Sequence, residues 1–129
     1  MGYNELLDIK EVIAKYNISD DDIIIKLTGR YRLLNKDFFN LIKASSNIDA
    51  FIKFYDVCTN VFMYNDAVLG LFAIKCKYLK NFYYLTNKAP EIEFAEYVRL
   101  NIDKNNLIEI KDLNLEYCLY LDESNLIIV

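Results

Sequence analysis

The chain has 129 residues, 54% of them hydrophobic and 26% charged, with one proline and three glycines, a composition that describes a folded chain and excludes a low-complexity one. A net charge of -4 sets its long-range field against nucleic-acid phosphates and anionic lipid. There is no histidine, which excludes imidazole triads, Cys/His zinc sites and a histidine pH switch and leaves acid–base chemistry to Asp, Glu, Lys, Tyr or Cys.

Leu6, Ile9, Ile13 and Tyr16 recur at helical spacing, so residues 4–16 read as an amphipathic helix ending near Asn17. After the polar link 19–22, Ile23–Leu27 is a short β-branched run whose continuous apolar character suits a strand covered on both faces. The acidic triplet Asp20–Asp22 belongs at its solvated start, with Ile23–Ile25 crossing the interior and Thr28-Gly29-Arg30 emerging at the carboxyl end, where open parallel sheets bind ligands. A helix over residues 36–44 follows, capped by Asn35 or Asp37 and closed by Ser45-Ser46-Asn47.

Imperfect alternation makes 50–57 a strand, and 60–66 reads as a loop or short strand. Residues 67–74 form an apolar strand interrupted by Gly70, and 75–85 carry lysines and aromatics that read as a helix with snorkelling lysines. Pro90 suits a first helical turn, and Glu91, Glu93 and Glu96 favour the positive end of a helix running to about Asp103. Residues 108–110, 116–121 and 126–129 are short closing strands, and no repeat or linker divides the chain, so 1–129 reads as one α/β domain able to bury about two thirds of its unfolded surface. Cys58, Cys76 and Cys118 include no C-x-x-C pair and are expected as reduced, buried thiols. The first residues show no basic region followed by an apolar run, Leu6 stands where myristoylation needs Ser or Thr, and no run of about 18 apolar residues occurs, so a cytoplasmic chain without a membrane span is expected.

The segment from Lys26 to Tyr31 has a clear chemical use. Gly29 allows close backbone approach, Thr28 offers a hydroxyl, and Arg30 presents a planar fork for phosphate or carboxylate. The same residues also fit a strand end with a turn glycine and a structural Arg–Asp pair. Asp66, where a loop meets a strand, suits a hydrogen bond to a sugar hydroxyl or a turn cap. Glu93 and Glu96 share a helix face, as a general base or as helix-start charges.

The run "DDIIIKLTGRYRL", with its K-[LI]-[TS]-G-R-Y pattern, resembles a segment of nucleotide-diphospho-sugar, GT-A-like glycosyltransferases of the kind encoded by large viruses and bacterial polysaccharide loci. "GYNELLDIKEVI", "LGLFAIKCKYLKNF" and "PEIEFAEYV" are similar to its preceding helix, later strand and helix, and acceptor-side helix, which together span most of the chain. The resemblance implies the carboxyl-terminal portion of an incomplete GT-A or Rossmann-like three-layer sheet with flanking helices. It implies transfer of a sugar from a nucleotide-sugar donor to a hydroxyl acceptor, with Mn or Mg as the family's usual ion. Lys26, Thr28, Gly29 and Arg30 would line the diphosphate side, Asp66 would contact sugar, and Glu93 would be the base. No Asp-x-Asp motif stands at the strand end, so no metal ligand is assigned, and Arg30 or Lys26 takes the place of the ion. The nucleotide-binding half that the family places first is not evident, which opens an alternative: a non-catalytic remnant or interaction module. An uncovered sheet edge would also favour a homodimer.

Overall fold

The computed structural model describes residues 1–56, 59, 61–118 and 126–129, and of residues 117, 118 and 126–128 the backbone alone. Its helices are α1 (Tyr3–Lys15), α2 (Asp37–Ala44), α3 (Cys76–Lys80) and α4 (Pro90–Asn101). Its strands are β1 (Ile23–Leu27), β2 (Tyr31–Leu33), β3 (Ala50–Ile52), β4 (Tyr55–Asp56), β5 (Val61–Phe62), β6 (Leu71–Lys75), β7 (Leu107–Glu109), β8 (Leu115–Cys118) and β9 (Leu126–Ile128). No helix among the described residues is long and apolar enough to cross a membrane. Cys76 is buried, whereas Cys58 and the Cys118 side chain lie outside what is described, as do residues 119–121 of the expected strand 116–121.

A four-stranded sheet in the order β1-β6-β3-β7 forms the middle layer. The sheet is mixed: β6 runs antiparallel to both β1 and β3, and β3 runs parallel to β7. Period-two alternation sorts its side chains. Phe72 and Ile74 of β6, with Ala50 and Ile52 of β3, face a core completed by Leu6 and Ile13 of α1, Leu79 of α3, and Phe94 and Val98 of α4. Leu71, Ala73 and Phe51 face the opposite way, onto Phe38 of α2 and onto Leu115 of the small antiparallel sheet β2-β8-β9. Each of the buried Phe, Leu, Ile and Val side chains among these contributes roughly 1.5–3 kcal/mol by leaving water.

Local chemistry explains where α1 stops. Asn17 has a positive φ of 54°, the left-handed conformation that asparagine tolerates. The Asn17 N–H donates to Ala14 O at 3.3 Å and the Ile18 N–H to Ile13 O at 3.1 Å, the paired bonds of a Schellman cap. At the other end of the chain, Pro90 opens α4 with its missing N–H where no helical partner exists.

Three expectations need correcting. The sheet is not an open parallel one, and β1 lies at its edge. Ile23 and Ile24 are half-buried, while Ile25 and Leu27 are 38% and 44% exposed, so Ile23–Ile25 do not cross an interior covered on both faces. The helix expected over 75–85 ends at Lys80, because Phe82 turns inward onto Phe94 and Tyr97, at ring separations of 5.3 and 4.9 Å. The strand expected over 50–57 is broken after Ile52 and resumes as β4, which pairs with β5.

Candidate functional site

The carboxyl end of β1, the amino-terminal turn of α1, the segment leading into β6 and the first turn of α4 surround an open cavity of about 760 Å3. Thr28, Arg30 and Asp66, which sequence reasoning selected separately, all line it. The turn from Thr28 to Tyr31 is closed by the Tyr31 N–H donating to Thr28 O at 3.1 Å, and Thr28 N–H is tied to Gly70 O at 2.9 Å. Those bonds hold the Thr28 and Arg30 side chains beside residues 66–70. Gly70 is required on steric grounds: a Cβ there would lie 2.5 Å from Tyr31 Cζ. The Tyr31 ring can therefore cover the strand only where no side chain intervenes.

Lys26 lies behind this wall. It is only 6% exposed, and its ammonium donates to the Thr28 hydroxyl oxygen, to Leu69 O at 2.7 Å, and to Glu5 Oε1 at 3.2 Å. An ammonium has three donors and no acceptor, so these three partners use it completely. The Lys26 pKa is lowered, first by burial, with Glu5 opposing the shift. Lys26 thus holds α1, β1 and the approach to β6 together, with its three donors engaged inside the protein.

Gly29 and Glu93 are not part of the cavity lining. Gly29 is exposed in the turn, has no positive φ, and a Cβ there would meet nothing within 4 Å, so nothing within the protein requires a glycine there. Glu93 is 8% exposed, and its Oε1 accepts from the Leu85 N–H at 2.6 Å and the Thr86 N–H at 3.0 Å. Its Oε2 is buried with no hydrogen-bond partner among the described residues. The geometry gives Glu93 the task of pinning the loop before α4. Glu96 is engaged by Lys88 at 2.8 Å.

Sequence reasoning missed Glu5, Asp56 and Glu91 as cavity residues. In the sequence Glu5 is one polar residue of an amphipathic helix and Glu91 a helix-start charge, and neither pattern carries information about distance from Asp66. The structure brings them together. The Asp66 carboxyl pKa is raised, first by partial burial and then by the charges of Asp56 and Glu91. Among the described residues no three Asp, Glu or Cys side chains are arranged to hold a metal ion. The acidic triplet before β1 is spread outward: Asp20 pairs with Lys80 at 2.7 Å, Asp21 with Lys77 at 3.8 Å, and Asp22 Oδ2 accepts from the Ser19 N–H.

Fold and cavity together define an α/β chain with a mixed sheet, flanking helices, and a cavity lined by Thr28 and Arg30 together with the carboxylates of Glu5, Asp56, Asp66 and Glu91. Compared with protein-family models, with curated proteins and with solved structures, the chain gives no match in any of the three.

Proposed function

We propose that the protein is a glycosyltransferase, or the acceptor-side portion of one, moving a sugar from a nucleotide-sugar donor to a hydroxyl acceptor on a GT-A-like sheet. The observation that carries this reading is the convergence of Thr28, Arg30 and Asp66 on one cavity with Glu91 and Asp56. Arg30 is exposed at the turn, where its planar fork is suited to the donor's diphosphate, and Thr28 adds a hydroxyl beside it. Asp66 replaces Glu93 as the base, because its raised pKa moves it toward the range in which a carboxylate removes a hydroxyl proton effectively. Calorimetry with uridine and guanosine diphosphate sugars tests the reading: binding is expected for wild type and a marked loss for Arg30→Ala. Equal binding by both proteins, or by neither, overturns it.

A second reading, a non-catalytic module that self-associates, is favoured by the β1 edge. Thr28 and Asp22 bond to Gly70 and Cys76 across the β1–β6 ladder, so by antiparallel alternation Ile23, Ile25 and Leu27 direct their backbone groups away from β6. Ile25 and Leu27 are also exposed, and such an edge is a template for another strand. Sedimentation at tens of micromolar distinguishes the two readings. A dimer abolished by Ile25→Lys, together with nucleotide-sugar binding absent, supports the module.

A further inference from the structure

We propose that the cavity interior selects an uncharged or amino-bearing sugar and rejects sugar acids. This rests on the glycosyl-transfer reading of the same cavity and names the sugar class that it takes.

The hydrogen-bond polarity of the wall follows from Lys26. Because its ammonium can only donate, the Thr28 oxygen is the acceptor in their bond, and the Thr28 hydroxyl proton must point elsewhere. Thr28 therefore presents a donor to the cavity it lines. Other walls supply acceptors from three further elements: Glu5 on α1, Asp66 before β6, and Glu91 in the first turn of α4. Asp56 of β4 adds a fourth negative charge, against which stand the Met1 ammonium, 3.8 Å from Glu5 Oε2, and the Arg30 guanidinium, so the lining remains net negative.

A ligand that satisfies this arrangement offers hydroxyl oxygen to Thr28 and hydroxyl or ammonium protons to the carboxylates. A polyol does both. The carboxylates stand on separate segments of the chain around the cavity. They nevertheless feel one another, as the effect of Asp56 and Glu91 on Asp66 shows. A carboxylate on the sugar would add to that repulsion in a partly desolvated site, whereas an amine would relieve it. The charged end of a donor is accommodated at the rim, where Arg30 is exposed.

The test is equilibrium binding of three probes to the full chain at neutral pH and low salt, followed by amide NMR shifts at Thr28, Asp66 and Gly70. The probes are methyl glucoside, methyl glucuronide and methyl glucosaminide. The glucosaminide is expected to bind tightest and the glucuronide about tenfold or more weaker than the glucoside, as one extra unit charge beside several others predicts. The gap is expected to narrow in Asp66→Asn and in high salt, where screening shortens the range of the repulsion. Glucuronide binding as tight as glucoside, a gap untouched by Asp66→Asn, or no shift of these amides with any probe overturns the proposal. Nucleotide-sugar calorimetry fails separately: loss of donor binding with the monosaccharide ranking intact refutes transfer and leaves the selectivity standing.

Discussion

Replacing Lys26 by methionine keeps the side chain out to the position of Cε and removes the charged ammonium, which isolates the ammonium's contribution. In the variant the buried Leu69 carbonyl loses its donor, at a cost of about 1–3 kcal/mol. The Glu5 side chain is 41% exposed and rehydrates, so its lost ion pair adds only about 0.5 kcal/mol. The Thr28 hydroxyl lines the cavity and finds water. Relief of the desolvation that burdens the charged lysine works in the opposite direction. The net expectation is about 2 kcal/mol of destabilisation, read in urea as a fall of about 1 M in the unfolding midpoint. Glu5→Gln, which retains an acceptor for Lys26, is expected to cost less than about 1 kcal/mol. The pH dependence provides a second reading. Lys26 has a folded-state pKa below 10.5, so between those values the unfolded chain holds more protons and wild-type stability gains with rising pH. The variant lacks that gain, and the difference between the two proteins is expected to widen toward pH 10.5. A Lys26→Met protein within about 0.5 kcal/mol of wild type, with a difference that does not change with pH, refutes the assigned role.

Other consequences are as direct. Gly70→Ala places a methyl group where Tyr31 now lies and is expected to cost about 1–3 kcal/mol while displacing the ring, seen as a lower melting temperature and altered tyrosine fluorescence. Glu93→Ala removes the acceptor of two loop amides and is expected to cost about 2 kcal/mol and to speed hydrogen exchange at Leu85 and Thr86, whereas Glu93→Gln retains most of the protection. The Tyr78 hydroxyl, which donates to Asp49 at 3.0 Å, has its pKa pushed up to about 12 by burial and then by that carboxylate. Its stabilisation is therefore complete below pH 10 and lost between pH 10 and about 12, and Tyr78→Phe is expected to remove one late step from the ultraviolet titration.

The periodic elements were legible because their signals are local. Leu6, Ile9 and Ile13 place α1 within one residue of its observed ends, Pro90 marks the first residue of α4, and the apolar run at 23–27 matches β1. The short closing strands also stand where alternation and turn residues put them, as far as the chain is described there. Thr28, Arg30 and Asp66 could be singled out because strand ends and loop junctions carry chemistry that a sequence displays. Depth and partnership could not be read in the same way. Three consecutive isoleucines look equally apolar in a central strand and at an edge, and only pairing with β6 on one side decides that Ile25 is exposed. Lys26 and Glu93 looked like ligand-facing charges, yet the acceptors and donors that consume them come from Leu69, Glu5 and Thr86, whose positions depend on how the layers close.

The amino-acid order by itself determined α1, α2, α4, the edge run Ile23–Leu27 and the polar turn at Thr28–Arg30, because propensity and periodicity act over a few neighbouring residues. Only the tertiary structure decided which carboxylates share a cavity and which charges are spent inside the wall. Hydrogen-bond saturation and electrostatic coupling depend on distances between segments far apart in the chain.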